Sequence, residues 1–247
     1  MEDQRMGARF GRPTRRPSCR MEHMTVSVII PTLNEAACLA GTLRSVRAEK
    51  PLEIIVVDGG SGDGTCEQAA AADRVLHGPR GRAAQMNHGA AHAAGDVLLF
   101  LHADCTLEAG ALAAAEKCLA VRGVAAGCFR MTVTAPGPVY RLIDACATAR
   151  VRLTGLMYGD QGLFVERRRF ARIGGFPPLR LMEDVFISRA LRREGRVVVA
   201  PRRVFVSPRR WRRQGVVRQT LRNWTLTALA AGGVHPDRLA AFYPVVR

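Results

Sequence analysis

Three short, strongly apolar runs constrain this chain more than any other feature. Ile54–Val57 and Val97–Leu101 are unbroken runs of four and five apolar residues, and Val26–Ile30 is broken only by Ser27. Between them lie segments with helical spacing, such as Leu39, Leu43 and Val46. A strand covered on one face alternates apolar and polar residues, whereas one covered on both faces is apolar throughout. Continuous strands alternating with helices therefore predict an α/β architecture, a mostly parallel sheet flanked by helices. In such sheets ligands sit beyond the C-terminal strand ends. Asn34-Glu35, Asp58 and His102-Ala-Asp104 all fall at that edge.

Further elements are expected as a helix over 65–72, a short strand near Val75-Leu76, a helix over 82–94 ended by Gly95, and a helix near 108–121. Beyond these come strand 124–133, helix 138–153, strand 161–165, helix 181–194 and strands near 197–206. Asn34 is a candidate N-cap for the first helix. Residues 1–23, rich in Arg, Pro and Gly and without periodicity, read as a disordered leader, with Met21 or Met24 as a candidate true start. Residues 24–208 then form the main domain, and 209–247 a basic helical extension.

Charge is unevenly placed. Of the net +16, residues 141–247 supply 22 Arg against seven acids, and the stretch 24–140 is close to neutral. Such a field suits an anionic partner such as a diphosphate, a phospholipid surface or nucleic acid, although genome base composition also enriches Arg. Three Tyr and two Trp are few for base stacking, which makes nucleic acid an unlikely partner. No run of about 18 apolar residues exists to span a bilayer, and the N-terminus lacks the apolar core of a secretory signal. Seven cysteines without a C-x-x-C pair argue for thiols in a reducing cytoplasm.

The motifs at the strand ends carry a resemblance. Pro31-Thr-Leu-Asn-Glu35, Val57-Asp-Gly-Gly-Ser-Gly-Asp-Gly-Thr65, His102-Ala-Asp104 and Glu183-Asp184 closely resemble those of family 2 glycosyltransferases of the GT-A fold, over about Val26 to Trp211. The resemblance implies that Asp58 accepts a hydrogen bond from the uracil N–H of a nucleotide-sugar donor; a carboxylate is acceptor-only and suits that edge. The alternative is a turn-forming Asp before two glycines. Pro31, Thr32 and Glu35 would line the base and ribose. Arg82, after Gly78-Pro-Arg-Gly and at a helix start, would meet the diphosphate.

Asp104 stands at the last carboxylate of the family's Asp-x-Asp, which implies a divalent metal, Mg²⁺ or Mn²⁺, bridging the donor phosphates. His102 replaces the first Asp, where it would contact ribose or ligate the metal. Asp160 and Gln161, in Gly159-Asp-Gln-Gly162, are either acceptor or sugar ligands or parts of a tight turn. Gly174-Gly-Phe-Pro177 matches a segment shaping the acceptor entrance. Glu183-Asp184 implies Asp184 as the catalytic base of an inverting transfer and Glu183 as a structural or acceptor contact, with one of the two facing the site. Trp211, in a remnant of the Gln-x-x-Arg-Trp motif with Ser207 in place of Gln, either stacks on the acceptor or packs.

The order of these motifs is similar to a small soluble bacterial group, some members of which accompany radical-SAM proteins in arsenosugar synthesis while others carry lipid or carotenoid labels. The acceptor, small molecule or lipid, is left open. Two rivals are a sugar-1-phosphate nucleotidyltransferase, weakened by the absence of a Gly-x-Gly-x-x-Arg loop after the first strand, and a basic binder of membrane surfaces or nucleic acid. Peripheral contact with anionic membrane, at the inner face, fits the basic half.

Overall fold

A computed structural model describes residues 24–231 and 234–240. The expected leader and the last residues of the basic extension lie outside the described residues. One eight-stranded sheet organises the rest, in the order β3-β2-β1-β4-β7-β6-β8-β5. Its strands are β1 (Val26–Thr32), β2 (Glu53–Asp58), β3 (Arg74–His77), β4 (Val97–Phe100), β5 (Cys105–Leu107), β6 (Val124–Val133), β7 (Leu163–Glu166) and β8 (Arg196–Val206). The first four are mutually parallel, and β6 and β8 are parallel to each other. The strand β7 is antiparallel to both β4 and β6, and β5 is antiparallel to β8.

The apolar runs behave as their composition requires. Val28 and Ile30 point into one core with Ile54, Val56 and Leu99, whereas Ile29 points into the other with Ile55, Val57, Leu98 and Phe100. Every residue of β1, β2 and β4 is buried. Helices α1 (Ala36–Ala48), α2 (Thr65–Ala69), α3 (Arg82–His92), α4 (Ala111–Leu119), α5 (Pro138–Thr154), α6 (Arg167–Arg172) and α7 (Glu183–Glu194) flank the sheet. They are followed by α8 (Arg209–Gln214), α9 (Val216–Ala231) and α10 (Pro236–Ala240).

Several expectations are corrected. Helix α3 ends at His92 rather than at Gly95, which instead lies against β1, where an added Cβ would come 2.7 Å from the Ser27 backbone nitrogen. Strands β5 and helix α6 were too short to show a period. Asn34 does not cap α1: its backbone is left-handed, at φ 55°, and its side-chain oxygen accepts from the N–H of Gly62. The loop after β2 caps the helix from outside, with Asp63 accepting the Ala36 N–H and Thr65 the Glu35 N–H. Two donors left over at the helix start are thus satisfied from a distant segment.

Candidate active site

The parallel strands β1 and β2 end side by side at Thr32 and Asp58, and α3 fastens them there. Gln85, fully buried, donates its amide N–H groups to the carbonyls of Thr32 (2.7 Å) and Val57 (2.8 Å). Asp58 is buried as well, and its own loop occupies both oxygens. The N–H groups of Gly60 and Ser61 reach one oxygen at 2.9 Å, and the hydroxyls of Ser61 and Thr32 reach the other. Burial pushes its carboxyl up, but these donors outweigh it and hold the acid below its ordinary range. Asp58 is therefore the organiser of the glycine-rich turn. Pro31 and Thr32 are buried in β1 behind it.

Glu35 is not open either. Arg209, at the start of α8, donates to its carboxylate at 2.8 Å and lies 3.8 Å from Asp104. The pairing with Glu35 raises the guanidinium's pKa despite burial, so the cation is firmly charged. Sequence reading placed interest on Trp211 of this helix and passed over Arg209. Only folding brings it to residues that precede it by more than a hundred positions.

A cleft in front of this edge collects most of the remaining candidates: Arg82, His102, Asp104, Asp160, Glu183, Asp184 and Trp211. Gln161 is absent from it. Its side chain is fully buried, accepting from Arg150 at 2.6 Å and from the Tyr158 N–H at 3.1 Å, so it braces its turn. Within Gly174-Gly-Phe-Pro177, Phe176 also faces inward: it is buried between Phe100 and Phe170, and Asn87 of α3 holds its backbone at both N–H and carbonyl.

The two adjacent acids both line the cleft, although only one of them need face it. Met182, left-handed at φ 66°, immediately precedes α7, and the acids open the helix from there. Asp184 accepts the N–H groups of Gly159 and Val185, each at 2.7 Å. Glu183 is buried and pairs with Arg82 at 3.5 Å. Arg82 thus already has a carboxylate partner at the diphosphate side. Burial raises both acids; for Glu183, Arg82 opposes it and Asp184 adds to it, leaving the acid pushed up to about 7. Asp184 is likewise raised by burial, against the pull of Gly159, Arg82 and Val185. The two titrate as a pair.

Gly159 is required for this packing. A Cβ there would lie 2.6 Å from Nε2 of His102 and 3.6 Å from Asp184. The turn therefore presses against the imidazole on one side and the acid on the other.

As a metal centre, the cleft offers the carboxylate of Asp104, with His102 also on its lining and Arg209 3.8 Å away. Among the described residues no group of three or more His, Cys, Asp or Glu stands together to hold an ion. A hard carboxylate oxygen suits Mg²⁺ or Mn²⁺ if phosphate oxygens and waters complete the shell, as such ions commonly bind. The donor set fits an ion that arrives with a diphosphate.

An eight-stranded sheet with acids gathered beyond its parallel strand ends defines the class: a GT-A glycosyltransferase fold. Residues 27–136 match the family model described as glycosyl transferase family 2. An uncharacterized glycosyltransferase of Mycobacterium tuberculosis is 44% identical over 87 residues, covering 32% of this chain and 33% of that protein. The chain thus matches about a third of the length of this curated relative. Among solved structures, a mannosyltransferase from Pyrobaculum calidifontis in complex with GDP-Man and Mn²⁺ superposes with a TM-score of 0.58, at 24% identity over 73% of this chain and 56% of that one. GalNAc-T7 with UDP, GalNAc and Mn²⁺ gives 0.59, at 20% identity over 74% and 44%. Staphylococcus aureus TarS with UDP-GlcNAc gives 0.57, at 18% identity over 74% and 58%.

Proposed function

We propose that this chain transfers a sugar from a nucleoside diphosphate donor, a UDP-sugar, to an acceptor hydroxyl with inversion at the anomeric carbon. The observation that carries the reading is the acid pair Glu183–Asp184 facing the same cleft as Asp104 and Arg82, beyond the ends of β1, β2 and β4. Asp184 takes the acceptor's proton as its oxygen bonds to the anomeric carbon; the bond to the diphosphate breaks, and its electron pair leaves with the nucleotide. The two backbone N–H groups on Asp184 aim it. Glu183 holds Arg82 at the leaving-group side.

A divalent ion, Mg²⁺ or Mn²⁺, held by Asp104 and the donor phosphates, would neutralise charge on the departing diphosphate. Complexes of the fold neighbours with nucleotide sugars and Mn²⁺ support the donor class and the ion. Arg209 adds a cation beside Asp104, 3.8 Å away. The nucleoside subsite would be formed by Pro31, Thr32, Glu35 and the Asp58 turn, with His102 at the ribose side. Asp160 and Trp211 would border the acceptor.

No helix among the described residues is long and apolar enough to cross a membrane. Work at the inner face of an anionic membrane, through the Arg-rich C-terminal half, fits the charge distribution.

Purified protein incubated with UDP-, GDP- and dTDP-sugars and Mn²⁺ or Mg²⁺ tests the reading. Slow release of nucleoside diphosphate, together with thermal stabilisation by the matching nucleotide, is expected. Absence of both with every donor would overturn it.

A further inference from the structure

The cleft does not end at Trp211. Behind it opens a second cavity of about 690 Å³ between α5 and the α8–α9 pair, and the two share Tyr158, Asp160, Trp211 and Asn223 on their common wall. The character changes across that wall. The catalytic side is lined by acids, arginine and histidine. The rear cavity is lined almost wholly by apolar side chains: one face of α5, with Leu142, Ile143, Cys146 and Leu153, opposes Val216 and Leu221 of α9. Positions 139, 142, 146, 149 and 153 follow helical spacing, so a single stripe of α5 forms one wall.

This stripe is not used to hold the fold together. Leu153 is 84% exposed, Leu142 63% and Leu221 54%. Leucines gathered this way, rather than scattered, mark a surface that binds something apolar. One cation stands on the wall. Arg150 lines the cavity and stacks over the Tyr158 ring at 3.3 Å, at the point where the two cavities meet. Arg141 and Arg152 of α5 and Arg218 of α9 lie on the flanking helices.

We propose that the rear cavity binds the apolar chain of a lipid acceptor, an alcohol with a long hydrocarbon tail, whose hydroxyl passes Trp211 and Asp160 to reach Asp184. Three observations converge on that occupant. The cavity adjoins the catalytic cleft across four shared lining residues, so an occupant that extends past them presents one end to the acids. Its open surface is mainly apolar, and three of its polar residues, Tyr158, Asp160 and Asn223, lie at the wall shared with the cleft, which suits a chain with a polar end. The Arg-rich helices around the cavity suit a surface of anionic lipid, from which such an acceptor would be drawn. The proposal rests on the glycosyltransferase reading and deepens it by naming the acceptor class.

The test uses the full chain and a dansyl-labelled sixteen-carbon alcohol, followed by fluorescence titration, with competition by unlabelled primary alcohols of increasing length. Saturable binding is expected, each added methylene tightening competition about three- to fourfold until the cavity is filled. Ala149→Trp, at an exposed position of the lining, should fill the cavity, and Leu142→Asp should place a charge on its wall. Each is expected to weaken the probe at least about tenfold while leaving melting temperature, donor-induced stabilisation and slow donor hydrolysis unchanged.

If donor binding and hydrolysis are intact but the alcohol does not bind, or binds equally to both variants, the lipid proposal is overturned and the transferase reading stands. If the alcohol binds but no nucleotide sugar does, the transferase reading fails instead. If the probe binds only after residues 241–247 are removed, that segment is the occupant and the proposal falls.

Discussion

The two halves of the site are built by opposite means. On the donor side, β1, β2 and β4 are buried on both faces, and their polar termini are tied by Gln85 and the Asp58 turn. The partners of the strand ends come from α3 and from the loop after β2. On the acceptor side, α7, α8 and α9 bring together buried acids, an arginine shared between two carboxylates and an apolar cavity with exposed leucines. In the proposed function, the donor side is the closed frame, and the acceptor side is where charge and open surface are kept. The proposed transfer would use both: a fixed nucleotide, and a site whose acids stay poised until an acceptor excludes water.

The sharpest way to break that contrast is at the acids. Asp184→Asn keeps size but removes the proton-accepting charge, and transfer should fall at least about a hundredfold with donor affinity little changed. Glu183→Gln should be milder and should act partly through Arg82, its partner. If Glu183→Gln is dead and Asp184→Asn active, the roles are exchanged.

The donor frame predicts a loss of stability instead. Gln85→Ala removes one donor from each of two buried carbonyls, which keep the Gly59 N–H and the Thr32 hydroxyl, with an expected cost of about 1–3 kcal/mol. That corresponds to roughly 2–12 °C in melting temperature at this chain length. An unchanged melting curve would mean that the strand ends hold without the amide.

The acid pair also makes pH a probe. Glu183 is pushed up to about 7 from 4.5, so between these values the folded state keeps a proton that the unfolded state has lost. Stability should therefore decrease as pH rises from about 4.5 to 7, and Glu183→Gln should flatten that slope. Transfer should show the reverse trend, rising across the range as the pair gives up its proton.

Smaller effects are expected from the ion and from the termini. UDP should stabilise the protein more with Mn²⁺ than with chelator, and Asp104→Ala should remove the difference. Equal stabilisation under chelation would leave Arg209 and Arg82 as the cations that matter. Deleting residues 1–23 should leave melting temperature and activity unchanged within error, the smallest effect of all.

Much of the fold was legible because parallel strands buried on both faces have few other ways to satisfy their composition. The runs at Val26, Ile54 and Val97 appear where expected, as does the whole of β6, and the motifs following them lie at the predicted edge. Short pieces escaped, since β5 and α6 contain too few residues for any period to register. Asn34 was misjudged because a cap can come from a loop thirty residues away as well as from the preceding residue.

By itself the sequence determined the sheet, the edge at which chemistry collects and the acids that could perform it, because these depend on local pattern and on motifs that follow strands directly. The tertiary structure alone decided which groups are engaged with each other. It set Arg209 between Glu35 and Asp104, turned Gln161 inward and opened the apolar cavity behind Trp211. These are contacts between segments far apart in the chain, and no local period records them. Their cause is the packing of α5, α8 and α9 around the sheet, which settles which side chains face one another only once the core is closed.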